Sequence, residues 1–341
     1  MDPIARLGLD VPVIQAPMAG GFTPAALVAA VSRAGALGSF GCAYMNPDDI
    51  RQAAASVRDV TDRPFGMNLF VHPDERSSPG ALKAALEALS AVRTAAGLPA
   101  HPSLPARLPL DRQVEAVLDA RPALFSTTFG PPTPAMIAAC RARGILIAGT
   151  ATTPEEGVLL DALGVDIIVA QGAEAGGHRG TFTVPWREAM IGTLPLVSLL
   201  TARIQRPVVA SGGIMDARAV RAVLAAGAAA AQLGTAFLLC PEAGTPEPHR
   251  RMIADPHPRP TIVTSVYTGR PARGIHNRFA DDMAFLEGAT PAFDDMNALT
   301  RDLRKAAAGR GDAEWMSLWA GQAYPLARAA PAADIVRSLA I

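Results

Sequence analysis

Among the six histidines, His178 is the one set in a segment whose residue types suit chemistry. It lies in the run Gln171-Gly172-Ala173-Glu174-Ala175-Gly176-Gly177-His178-Arg179-Gly180. The glycines let backbone turn tightly and approach a ligand closely. An imidazole titrates near neutrality, so a histidine held there could move a proton or hold an anion. Two further segments suit a phosphate. Ala210-Ser211-Gly212-Gly213-Ile214 precedes Asp216, a residue placed to cap a helix, and Gln232-Leu233-Gly234-Thr235-Ala236 follows about twenty residues on. Gly212 and Gly213 would free backbone N–H groups toward an anion, and Thr235 adds a hydroxyl donor. Either segment alone is an ordinary strand-to-helix turn. Together, in this order, they point to a phosphate-bearing cofactor or substrate.

Two more positions suit a flat, partly polar ligand. Gln15-Ala16-Pro17-Met18-Ala19-Gly20-Gly21 offers a soft apolar seat at Met18 beside a proline that ends backbone pairing. Asn68, within Phe65-Gly66-Met67-Asn68-Leu69-Phe70, carries both a donor and an acceptor among apolar neighbours. The residues leave open whether its amide meets a ligand or is satisfied by adjacent backbone. The other histidines, His72, His101, His249, His257 and His276, lie in polar or Pro-rich surroundings and are expected to be solvated. No HExxH, cysteine cluster, Walker loop or GxSxG elbow is present, so no metal site is expected.

The elements that must position these residues follow a recurring unit. A short apolar run ends in small residues, then a capping residue and usually proline open an Ala-rich helix. Thr23-Pro24, Asn46-Pro47, Thr133-Pro134 and Thr153-Pro154 are such starts, the last with Glu156 placed for a capping box. Strands are predicted at 13–17, 37–41, 65–70, 123–129, 145–149, 166–171, 207–211 and 230–234. Several are continuous apolar runs, as parallel strands buried on both faces require. Eight such strands with helices between them most economically close into a (β/α)8 TIM barrel. An open doubly wound sheet would be the alternative, and no GxGxxG supports it. Two stretches break the rhythm. Residues 72–122 form an expanded connection after strand 3, with two Pro-rich pieces around one helix. Residues 242–312 follow strand 8 and read as short helices. The expected organisation is a barrel over 1–241 and 313–341, with 242–312 inserted as a helical lid over its C-terminal mouth. The tail from Trp315 would supply the eighth outer helix.

Composition excludes several function classes. In 341 residues, 31 basic side chains balance 31 acidic ones, and no basic run stands out, so a nucleic-acid partner is not expected. Half of the residues are hydrophobic, which excludes a disordered chain. No stretch reaches the roughly 18 uncharged apolar residues of a membrane helix. The start MDPIARLGLD lacks the features of a secretory leader, and Cys42, Cys140 and Cys240 lie far apart. Reduced thiols in a cytoplasmic protein are therefore expected.

The motifs together resemble the nitronate monooxygenase family, formerly 2-nitropropane dioxygenases, which are FMN-dependent TIM barrels. The resemblance runs over nearly the whole chain. It includes QAPMAGGFTPAALVAAVSRAGALGSFG, PFGMNLFV, STTFGPP, AQGAEAGGHRG, PVVASGGI, AAAQLGTAFL, GRPARG and SLWAGQA. It implies that His178 is catalytic and that FMN lies with Pro17 and Met18 beside its ring. Asn68 and Gln171 would meet the polar edge of the ring. Gly176, Gly177, Gly212, Gly213, Gln232, Gly234 and Thr235 would follow the ribityl chain and phosphate. The implied reaction is oxidation of an alkyl nitronate, such as propionate 3-nitronate, by O2 to a carbonyl compound and nitrite. Protonated His178 would hold the anionic nitronate, or neutral His178 would remove the α-proton of a nitroalkane. Relatives of this kind carry tyrosines around the substrate and a lysine in the late helical segment. The corresponding positions here are read as Phe293 and Arg301, which puts the substrate's identity in question. The nearest alternative is an FMN-dependent NAD(P)H enoyl-thioester (enoyl-ACP) reductase. A non-catalytic flavin-binding barrel is a third reading. The protein is expected to be a monomer or homodimer.

Overall fold

A computed structural model describes residues 2–340. Eight parallel strands form the barrel: β1 (Val13–Gln15, resumed at Met18–Ala19), β2 (Gly38–Gly41), β3 (Phe65–Phe70), β4 (Leu124–Thr128), β5 (Leu146–Ala151), β6 (Ile167–Gln171), β7 (Val208–Ser211) and β8 (Ala230–Leu233). All eight fall where the apolar runs predict them. Each pairs in parallel with its neighbours around the ring. The ring closes through β1. Its first half pairs with β8 in the register Ile14↔Gln232, a bridge joins Ile14 to Leu37, and its second half pairs with β2 at Met18↔Phe40. The break falls at Ala16-Pro17 because proline has no N–H to give the ladder.

Helix starts follow the predicted caps at four positions, Asn46, Thr133, Thr153 and Asp216. Asn46 accepts from the Asp49 N–H at 2.9 Å, Thr133 from Met136 at 3.2 Å, and Asp216 from Ala219 at 2.9 Å. Thr23 departs from this pattern. It does not cap the helix Ala25–Arg33; its hydroxyl donates to the Met18 carbonyl and accepts from the Gly41 N–H, tying β1 to β2. At Thr153 the hydroxyl cap forms, but Glu156 does not return to the Thr153 N–H. Its carboxylate accepts from Thr152 and from the backbone of Phe182 and Thr183, a buried charge satisfied across two loops.

The segment 242–312, expected as a helical insertion, is not only helical. Besides the helices Glu247–Ile253, Arg278–Asp282 and Phe293–Gly309, it contains the antiparallel strands Thr261–Thr264 and Ala272–Ile275. The second strand also pairs with Gly177–His178, so the insertion is hydrogen-bonded to the histidine loop. The expanded connection after β3 holds two helices, Pro79–Ala95 and Leu110–Ala120, rather than one. The first packs Ala85 and Leu89 against Met296, Leu299 and Leu303 in an apolar cluster separate from the barrel core. Buried Arg93 locks this pair, donating to the Leu299 carbonyl and to both carboxylate oxygens of Asp302 at 2.7 Å. The tail divides. Its first part stays with the insertion, where Trp319 bridges Gly274, and only Ala332–Ser338 forms the outer helix, against Ala25–Arg33.

Candidate functional site

A cavity of about 900 Å³ opens at the C-terminal ends of the barrel strands. Pro17, Met18, Asn68, Gln171, Gly176, Gly177, His178, Gly212, Gly213, Gln232, Gly234, Thr235 and Arg301 all line it. All eight strands bring residues to the wall at or just beyond their ends, β2 through Phe40 and Gly41 and β5 through Thr150. Among the described residues no cluster of His, Cys, Asp and Glu could hold a metal.

The strand 7 and 8 ends form an anion cradle. Gly212 and Gly213 have φ of 127° and 68°, a left-handed turn that a side chain would strain. The backbone N–H groups of Gly213, Gly234 and Thr235 meet no acceptor among the described residues. The Thr235 hydroxyl accepts from the Gly321 N–H at 3.0 Å, which leaves its own hydrogen free for a ligand. Polar side chains ring the same cavity. Asn68 turns its amide nitrogen onto Ser126 and Thr128, so its donor is satisfied by the next strand. Gln171 braces the histidine loop, donating to the His178 carbonyl at 3.0 Å and accepting from the Gly180 N–H at 2.8 Å. Gln232 reaches Ser211 at 3.4 Å. Gly176 is small for a packing reason: a Cβ there would lie 2.5 Å from the backbone of Ala320 and Gly321.

His178 stands within an aromatic wall. The ring centroids of Phe293 and Trp319 lie 5.4 Å away, Phe129 5.5 Å and Phe70 6.0 Å. Burial among these rings, with Arg270 and then Arg304 nearby, pulls its pKa down to about 3, so the ring is neutral. Its Nε2 lies 2.9 Å from the Thr268 hydroxyl. Phe129 carries φ of 79°, rare for a bulky residue and concentrated at functional sites. It is held there by Phe70 at 4.2 Å and by the Arg270 guanidinium 4.1 Å above its ring. Arg270 donates to the Thr181 carbonyl, and burial lowers its pKa to about 10, still charged at neutral pH. Tyr44 stands edge-on to Phe70, its phenol pushed up to about 12 by burial.

The substrate side departs from the sequence reading. Phe293 does not line the cavity; it is buried behind His178, edge-on to its ring. Arg301 is exposed at the cavity wall, and Arg304 and Lys305 from the same helix line it too. Arg304 is held by Asn297 and by Ser317. His249 is not solvated: it is 1% exposed, with burial lowering its pKa to about 4. Thr268, Arg270, Arg304 and Trp319 had no assigned role. Arg270 and Trp319 lie within the GRPARG and SLWAGQA segments, the one signal that marked them. The three cysteines are free and buried.

A closed parallel barrel with its cavity at the strand C-termini, an anion cradle after strands 7 and 8 and a histidine after strand 6 defines a TIM-barrel protein of the enzyme type. The nitronate monooxygenase family model matches residues 4–341. A nitronate monooxygenase from Pseudomonas aeruginosa is 42% identical over 98% of this chain and 96% of its own length. A probable nitronate monooxygenase from Staphylococcus saprophyticus is 38% identical over 93% and 90%. Among solved structures, nitroalkane oxidase from Streptomyces ansochromogenes superposes with a TM-score of 0.90 at 40% identity, covering 97% of this chain and 95% of that one. FabK from Thermotoga maritima gives 0.76 at 27% identity, over 98% and 93%. The chain belongs to the nitronate monooxygenase family, and so to the oxidoreductases. No helix among the described residues is long and apolar enough to cross a membrane.

Proposed function

We propose that this protein is an FMN-dependent nitronate monooxygenase of the cytoplasm, oxidising alkyl nitronates with O2 to a carbonyl compound and nitrite. The observation that carries the reading is a neutral histidine within an aromatic wall, in the same cavity as a cradle of unpartnered backbone N–H groups. The cradle suits the FMN phosphate, Met18 and Pro17 suit one face of the ring, and the Asn68 amide oxygen and the Gln232 amide suit its polar groups. Bound there, FMN supplies the electron acceptor and the reaction with oxygen.

The chain's own groups divide the remaining work. Neutral His178 has a lone pair for the α-proton of a nitroalkane. Positive charge for the nitronate anion then falls to Arg304, Arg301 and Lys305 on the cavity wall, with Arg270, stacked on Phe129, adding to the potential near the histidine. Phe70 and Trp319 at the cavity wall, with Phe129 packed behind Phe70, keep water away from the reacting carbon. Residues 242–312 act as the substrate-side wall.

Two measurements test the reading. The purified protein should be yellow, and anaerobic propionate 3-nitronate should bleach it. Bleaching by NADH with no response to the nitronate would overturn the proposal in favour of an enoyl-thioester reductase. His178→Asn should keep its flavin and lose nitroalkane-dependent oxygen uptake by about a hundredfold or more. Wild-type uptake in that variant would refute the role of His178.

A further inference from the structure

His178 contacts the insertion through more than its strand pairing. Thr268, 1% exposed and at the cavity wall, has three polar neighbours. These are His178 Nε2 at 2.9 Å, the Arg270 carbonyl at 3.2 Å and the Arg270 backbone N–H at 3.4 Å. A hydroxyl has one hydrogen and two lone pairs. The carbonyl can only accept and the amide can only donate. One arrangement satisfies all three: the hydroxyl hydrogen goes to the Arg270 carbonyl, and its lone pairs receive the Arg270 N–H and a hydrogen on His178 Nε2. If the hydroxyl instead donated to Nε2, it could not also serve the Arg270 carbonyl, which would lose its only protein donor among the described residues. His178 Nδ1 has no protein partner among the described residues and is not a buried orphan atom, so it opens to the cavity.

We propose that Thr268 is the positioning residue for His178, holding its proton on Nε2 so that the Nδ1 lone pair faces the substrate as the base. This rests on the reading of His178 as the proton acceptor. In the step it supports, the α-C–H bond of a nitroalkane breaks and the proton goes to Nδ1. The electron pair of that bond moves into the nitro group, giving the nitronate. A preformed nitronate has no such proton to lose, so its oxidation should not need the tautomer. Thr268 lies ninety residues from His178 in sequence, in the same insertion whose strand Ala272–Ile275 pairs with the histidine's own backbone. The insertion therefore carries both restraints on the ring, its backbone position and its tautomer.

The test is nitrogen-15 NMR of histidine-labelled holoenzyme, with the His178 signals assigned by their loss in His178→Asn. The wild type should show His178 protonated at Nε2 and bare at Nδ1; the opposite tautomer overturns the proposal. Thr268→Val should give mixed tautomers and lower kcat for a neutral nitroalkane by about tenfold, while turnover of a preformed nitronate stays within about a factor of two. Thr268→Ser, which keeps the hydroxyl, should restore both. Equal losses on the two substrates, or no rescue by serine, would mean a merely structural role. If Thr268→Val does not fold, the wild-type spectrum and the serine variant still decide. Full nitroalkane activity in His178→Asn would refute the catalytic reading alone, and the wild-type tautomer would still judge the Thr268 hydrogen bond.

Discussion

His249 gives the protein a built-in acid sensitivity whose size follows from its surroundings. The ring sits on the helix Glu247–Ile253, 1% exposed, with Phe22 edge-on at 5.8 Å and Nε2 buried without a partner. A proton on that nitrogen would find nothing to bond, and burial lowers its pKa from 6.5 to about 4. The unfolded chain takes up the proton near pH 6.5 while the native ring waits until about pH 4. Between those values the unfolded state holds more protons, so stability falls as pH falls. At 1.36 kcal/mol per pH unit, the difference from neutrality reaches about 2 kcal/mol at pH 5 and levels off at about 3 kcal/mol below pH 4. The assay is urea unfolding of wild type and His249→Gln at pH 7 and pH 5. Both proteins share every other titrating group, so subtracting their acid losses isolates this ring. His249→Gln should lose about 2 kcal/mol less than wild type between the two pH values. Equal losses would refute the assignment of a buried, neutral His249.

Further outcomes concern the insertion and the cavity. Arg93→Ala should cost about 3 kcal/mol in urea unfolding, because it leaves the Leu299 carbonyl and Asp302 without their guanidinium. Gly213→Ala should weaken flavin retention on dialysis. It forces a side chain to φ of 68° and puts a Cβ 3.1 Å from Glu174, spoiling the turn whose N–H faces the cavity. Arg301→Ala should raise KM for an anionic nitronate by severalfold with kcat little changed, the effect fading as salt is added, because the exposed guanidinium acts at long range.

The barrel was legible along the chain because its signals are local. A cap, a proline and an apolar run each act within a few residues, and together they placed all eight strands. Departures arose where a local residue was taken up by something distant. Thr23 has the right type and place for a cap, yet β1 and β2 lie close enough to claim its hydroxyl. Glu156 likewise serves Phe182 and Thr183 rather than its own cap. His249 reads as a surface residue in a Pro-rich stretch, and only the insertion's packing beside Phe22 buries it.

For the site, the sequence by itself marked the glycine-rich and polar segments that lie at the strand ends. Position along a parallel barrel strand dictates the face reached, and glycine pairs mark where backbone must turn toward a ligand. It could not determine what surrounds His178. Phe70, Phe129, Phe293, Trp319, Thr268 and Arg270 come from five separate segments, and no periodicity links them. The tertiary structure alone decided that His178 is neutral, because its charge depends on desolvation by those rings and on two guanidinium groups brought from the insertion. It also decided that Phe293 stands behind the histidine rather than in the cavity, and that Arg301 shares the cavity wall with Arg304 and Lys305. Residue type sets what a group can do; the dielectric and the partners that folding brings to it set which of those things it does.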